Sequence, residues 1–169
     1  MSETARYRHL VVEYCSGSGV DVGSGGDPVV PWAIQVDLPW DKFREYNGGR
    51  DPDSPIQLTC DAGNLPFKDG TLDFVYSSHL LEDFWPWKPL LTEWKRVVKP
   101  RGYVVILIPD KELWAEALKR GQPPNCAHKH EGTVGELTRY FTDWKIIRDS
   151  RTNEFSGDYS ILFIARKPL

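Results

Sequence analysis

Residues Gly19 to Asp27 read GVDVGSGGD, and the fold turns on how this stretch is read. Val20 and Val22 suit a buried strand, while Gly23, Gly25 and Gly26 admit positive φ and let a ligand come close to the backbone. Two structures satisfy such a run: a strand opening into a ligand-binding turn, or an ordinary glycine-rich hairpin. Acids further along the chain separate them. Residues 33–37, AIQVD, form a second apolar run closing on Asp37, and IQLTCD supplies a third strand, Ile56 to Cys60, that ends at Asp61.

The remaining chain alternates in the same sense. Arg6 to Tyr14 predicts a short N-terminal helix or arm. Pro28 and Pro31 fall in the connection between the first two strands, where a proline is tolerated only in a helix's first turn. The crossover helix expected between adjacent parallel strands is therefore reduced or lost. DKFREY at residues 41–46 predicts a short helix capped by Asp41, and residues 47–55 are loop by composition. TLDFVYSSHLL gives a fourth strand over Leu72 to Ser77, stopping at Ser77, Ser78 and His79. From Trp87 to Lys99, Leu90, Leu91, Trp94, Val97 and Val98 recur every three or four residues, an amphipathic helix. KPRG stops it, and YVVILIP follows as a strand buried on both faces. Residues 110–120 are a helix that Gly121 closes. Thr133 and Glu136 predict a capping box for a helix to about Tyr140. WKIIRD and YSILFIARK read as an antiparallel pair.

Composition bounds the function. A chain of 169 residues, 40% hydrophobic and 27% charged, predicts one domain over residues 1–169, with residues 1–18 as arm or helix. A formal net charge of −3 and the lack of a basic stripe argue against a nucleic-acid binder. No apolar run reaches the roughly 20 residues a membrane span needs, and the N-terminus carries no signal-peptide core, so a cytoplasmic location is expected. Three cysteines, Cys15, Cys60 and Cys126, fit reduced thiols. Cys126, His128 and His130 lack metal-site spacing, so no metal is expected.

Alternating strands and helices indicate an α/β open sheet, mostly parallel, whose ligands sit at the carboxyl ends of the strands. The singled-out residues all fall there. Asp37 offers acceptors for both hydroxyls of a ribose. Asp61 can accept an adenine amino hydrogen while the Ala62 amide donates to a ring nitrogen, and Asp21, below the glycine turn, can receive an ammonium. A cation carrying adenosine and an amino acid fits this set. A dinucleotide fits it poorly, because G-x-G-x-x-G begun at Gly23 meets Pro28 and leaves no helix for the pyrophosphate.

At these residues the chain resembles the class I S-adenosylmethionine-dependent methyltransferases of the type 11 kind. GVDVGSGGD is similar to the family's first motif, VDL to its ribose-binding acid, CDAGNLPF to its adenine-binding segment, and DFVYSSHLLEDF with LLTEWKRVVKPRGYVVILIPD to its fourth and fifth strands. The resemblance implies a Rossmann-like sheet of about seven strands, the last inserted antiparallel, with helices on both faces. It also implies S-adenosyl-L-methionine as cofactor, contacted by Asp21, Gly23, Ser24, Gly25, Asp37, Leu38, Asp61, Ala62, Ser77 and Ser78. Departures are Asp27 where the family has glycine, KPRG for KPGG, and the lost crossover helix.

A methyl acceptor bearing a proton needs a base beyond the fourth strand, and His79 with Glu82 one turn later is the candidate, packing being the other role open to it. A small-molecule substrate is expected. Trp85, Pro86 and Trp87 either wall its pocket or pack the next helix, and the loop with His128 and His130 either covers the cofactor or is solvated. The rival expectation is a non-catalytic, cofactor-binding or protein-partner subunit, which the missing helix and exposed tryptophans would suit.

Overall fold

The computed structural model describes residues 2–38, 56–152 and 155–169. The short helix expected over residues 41–46 and the loop over 47–55 lie outside them. Seven strands form one sheet in the order β3-β2-β1-β4-β5-β7-β6: β1 Gly19–Val22, β2 Ile34–Asp37, β3 Leu58–Thr59, β4 Leu72–Ser78, β5 Val98–Pro109, β6 Lys145–Arg151 and β7 Ser160–Arg166. The first five run parallel, and β7 enters antiparallel between β5 and β6. Strand order reverses between β1 and β4, so the carboxyl ends of these two strands flank the crevice where open α/β sheets hold ligands.

Side-chain alternation along the strands divides the interior into two layers. Val20, Val22, Val75, Ile106 and Phe163 face one side, where α2, Lys88–Val97, presents Leu90, Leu91, Trp94 and Val97. Phe74, Tyr76, Val105, Leu107 and Leu162 face the other, against Tyr7 and Val11 of α1, Glu3–Val11. Ser2 caps α1 by accepting from Ala5 N (2.9 Å). A third helix, α3, Lys111–Lys119, starts at Asp110, whose carboxylate accepts from Glu112 N and Leu113 N.

Residues 23–33, between β1 and β2, contain no helix. Arg8 of α1 secures this connector instead: its guanidinium donates to Val29 O (3.1 Å) and Pro28 O (3.1 Å) and pairs with Asp27 (2.5 Å). Asp27 also accepts from Ser2 Oγ. The acid standing in a glycine position is therefore turned towards α1.

Several boundaries differ from expectation. Strand β3 keeps only Leu58–Thr59; Cys60 N still donates to Asp37 O (3.2 Å), and the residues beyond it are held by α2, through Trp94 Nε1 to Ala62 O (3.0 Å) and Leu65 N to Glu93 Oε1 (2.7 Å). KPRG belongs to β5, because Leu72 already pairs with Val98 ahead of an irregularity in the ladder. Arg101 there takes φ 67, a left-handed conformation that favours glycine. The expected helix ending near Tyr140 is a single 3-10 turn, Leu137–Tyr140, although Glu136 does reach back to Thr133 N (3.2 Å).

Candidate functional site

Two cavities open at the carboxyl ends of the strands, and Asp83 lines both. The first, about 290 Å³, lies over β1, β2 and β3. Val36, Leu38, Ala62 and Phe84 give it apolar walls, with Asp37 and Asp61 at the strand ends and Lys129 from the opposite side. Asp37 is buried, and its carboxylate accepts from Gly25 N (3.0 Å) and Leu38 N (2.8 Å), which ties the glycine turn to β2. Asp61 accepts from Gly63 N through Oδ1 (2.7 Å). Above Gly25 the space is open, since an added Cβ would meet nothing within 4 Å. Above Gly23 it is not: a Cβ would come within 2.9 Å of the Leu80 side chain, which packs on the turn.

The predicted cofactor residues fall into two groups. Gly23, Asp37, Leu38, Asp61 and Ala62 line the first cavity. Asp21, Ser24, Gly25, Ser77 and Ser78 do not, and the side chains of Asp21, Ser24 and Ser77 bind backbone or neighbouring strands. Asp21 is buried on the α1 side of the sheet and accepts from Val29 N (2.7 Å), its other oxygen lacking a donor. Burial, reinforced by Asp27 and Asp37 against the Val29 amide and Arg8, raises its pKa to about 8. Ser24 Oγ donates to Gln35 Oε1 (3.4 Å), and Ser77 Oγ donates to Val22 O (2.9 Å), joining β4 to β1.

The second cavity, about 460 Å³, lies beyond β4 and β5, between Glu3, His79, Glu82, Trp114, His128 and Tyr159. His79 follows β4 with φ 52, sparsely populated for a residue with a side chain and of a kind that gathers at functional sites. Its Nε2 lies 2.9 Å from Ser160 Oγ and its Nδ1 3.4 Å from Glu82 Oε1. Burial disfavours the imidazolium. The Glu82 contact, with the charges of Glu82, Glu3 and Asp83, outweighs burial and raises the pKa of His79 above the ordinary imidazole value. The loop after α3 is strapped down, since Lys129 N and His130 N donate to Glu82 O (2.7 and 3.1 Å). This strap sets Lys129 against the first cavity and His128 Nε2 3.7 Å from Glu82 Oε1. His130 instead stacks on Trp85, centroids 4.0 Å apart, and contacts Glu136 (2.7 Å). Trp87 is wholly buried in the core and walls neither cavity.

Sequence reasoning missed Leu80, Asp83, Phe84, Lys129, Glu3, Trp114 and Tyr159 as cavity residues. The first three stand in the quoted DFVYSSHLLEDF, where the pause after the fourth strand was the available signal. Glu3, Trp114 and Tyr159 arrive from three distant elements, a convergence no local pattern records.

A family model described as a methyltransferase domain matches residues 20–106, just over half of the chain. The chain belongs to this methyltransferase domain family. No curated protein matches it by sequence. Among solved structures, a SAM-dependent methyltransferase from Archaeoglobus fulgidus superposes with a TM-score of 0.71 at 18% identity, covering 97% of this chain and 92% of that one. The PH0226 protein of Pyrococcus horikoshii gives 0.68 at 20% identity, covering 98% and 92%. The methyltransferase solved in complex with the Haloferax volcanii Trm112 methyltransferase activator gives 0.65 at 18% identity, covering 98% and 89%. At such identities the likeness is one of fold.

The cofactor implied by this family is S-adenosylmethionine. The first cavity fits its adenosine part: an apolar slot for a base, acids at the ends of β2 and β3, and open space over Gly25. Among the described residues no helix is long and apolar enough to cross a membrane, and no His, Cys, Asp or Glu group could hold a metal ion.

Proposed function

We propose that the methyltransferase domain is catalytic and transfers a methyl group from S-adenosylmethionine to a small-molecule acceptor, with residues 1–169 acting as one domain. The observation that carries this reading is the pairing of two cavities at the carboxyl ends of the strands, one apolar with acids at the ends of β2 and β3 and one holding His79, whose linings share Asp83.

When bound, the cofactor supplies an electrophilic methyl group on a sulfonium. Asp37 would hold the ribose hydroxyls, and Asp61 with the Ala62 amide the edge of the base. Val36, Leu38 and Phe84 would exclude water from its faces. In the second cavity His79 would accept the acceptor's proton on Nδ1, while Ser160 holds Nε2 and fixes the ring and Glu82, 3.4 Å from Nδ1, stabilises the imidazolium. Positioning of the acceptor supplies the larger share of the rate, on the order of 7–11 kcal/mol for well-oriented groups. Transfer of a radiolabelled methyl group across a metabolite panel tests the reading; a folded, cofactor-binding chain that transfers to no small molecule would sink it.

A second reading is a subunit that works with a protein partner. It is favoured by Trp32 and Trp85, 57% and 53% exposed, and by the activator-bound relative from Haloferax volcanii. Transfer by the isolated chain, with a solution mass of one chain, removes it.

A further inference from the structure

We propose that the second cavity recognises a small organic cation, a protonated amine on an apolar or aromatic frame, and that this is the acceptor. The word acceptor rests on the methyltransferase reading above; recognition of the cation does not.

Glu82 is the first argument. Its side chain lines the cavity, the residue is 0% exposed, and neither carboxylate oxygen has a hydrogen-bond donor. The nearest polar groups, His79 Nδ1 at 3.4 Å and His128 Nε2 at 3.7 Å, stand at ion-pair distance without hydrogen-bond geometry. A carboxylate so placed is costly until something supplies donors, and an ammonium supplies up to three.

Charge balance is the second. Among the described residues the lining holds three carboxylates, Glu3, Glu82 and Asp83, against two imidazoles, His79 and His128, and no lysine or arginine. Arg6, 4.0 Å from Glu3 Oε1, is 3.1 Å from Asp158 and lies outside the lining.

The same lining carries aromatic rings. Trp114 stands 5.0 Å from Tyr159 and 5.1 Å from His128, and Tyr159 5.7 Å from His79, centroid to centroid. A buried acid facing ring surfaces is the pairing that selects ammonium groups. A neutral alcohol brings Glu82 one donor and no charge, and a carboxylate brings no donor, so the same residues select by exclusion.

The cofactor has an ammonium of its own, so the experiment must separate two sources of one chemistry. The full chain, alone and saturated with S-adenosylhomocysteine, is titrated calorimetrically at pH 7.5 with 2-phenylethylamine, 2-phenylethanol and 3-phenylpropanoate. The amine is expected to bind at least 10-fold tighter than the alcohol in both states, and the acid not measurably. Glu82→Gln is expected to weaken the amine at least 10-fold and to leave the alcohol and S-adenosylhomocysteine within twofold. Glu3→Gln, in the first turn of α1, repeats the test with a loss of at least threefold should Glu82→Gln melt abnormally. Equal binding of amine and alcohol, or no loss in either folded variant, overturns the proposal. So does displacement of the amine by S-adenosylhomocysteine, which would give the acids to the cofactor. Amine selectivity without any binding of S-adenosylhomocysteine would uphold cation recognition and refute the methyltransferase reading instead.

Discussion

Asp37→Asn isolates the nucleoside contact with little change of shape. Asp37 is 6% exposed, and its two oxygens already accept from Gly25 N and Leu38 N. Asparagine keeps one acceptor oxygen and presents an NH2 to the other amide, so one charge-assisted bond, worth about 1.5–3 kcal/mol, is lost from the fold. A similar loss falls on a ribose hydroxyl that the carboxylate would accept, which at tenfold per 1.4 kcal/mol weakens binding roughly 10- to 150-fold. Asp37→Ala, by contrast, removes both charge-assisted bonds to the part-buried Gly25 and Leu38 amides, at most about 1.5–3 kcal/mol each, a sizeable part of a typical stability of about 5–15 kcal/mol. Weak binding by the alanine variant would therefore say little about the ribose contact. The assay is calorimetric titration of S-adenosylhomocysteine into Asp37→Asn, with thermal unfolding alongside. A folded variant that binds as tightly as the parent refutes the ribose assignment.

Three further outcomes are expected. Asp21, with a folded-state pKa of about 8 against 3.8 ordinarily, stays protonated in the folded chain while the unfolded chain ionises. Its contribution is complete below about pH 4 and declines by at most about 1.4 kcal/mol per pH unit up to about pH 8, on the order of 5 kcal/mol in all. Denaturant unfolding of Asp21→Asn should lose that slope relative to the parent; parallel curves would contradict it. Because the pKa of His79 is raised, methyl transfer should rise with pH along a limb centred above 6.5. Glu82→Gln should move the limb down, and an unmoved limb in the pH–rate profile would deny Glu82 its role. Arg101→Gly should relieve the left-handed residue at φ 67 and, after glycine's greater freedom when unfolded, stabilise by about 0.5–1 kcal/mol. A scanning melt with no rise, or a fall, would show that the surrounding ladder fixes this turn.

The mostly parallel sheet was legible because the second, third and fourth strands each end at an acid or serine and the fifth is a continuous apolar run, and the antiparallel close because WKIIRD and YSILFIARK are separated by a polar loop. The lost crossover helix was legible from Pro28 and Pro31 for a covalent reason, the missing proline N–H. Its replacement was not: Arg8 lies in α1, far along the chain from Val29, and nothing local announces that its guanidinium will hold Pro28 and Val29 carbonyls. The same division runs through the site. Asp37, Asp61 and Ala62 stand at strand ends, where topology alone delivers them to the cavity. Asp21 shares that sequence context, yet strand alternation turns it to the opposite face, against Val29. Lys129 reaches the first cavity only because Glu82 O accepts two amides from its loop, a tertiary bond invisible in composition. Leu80 on Gly23 is the least readable feature, since a glycine that admits a ligand and one that admits a leucine look alike in sequence.

Calorimetric titration of the purified chain with S-adenosylhomocysteine tests the central claim, that the cavity over β1, β2 and β3 holds an S-adenosyl cofactor. One binding site per chain, weakened in Asp37→Asn, is the predicted result. No heat of binding from a folded chain at millimolar ligand would contradict it.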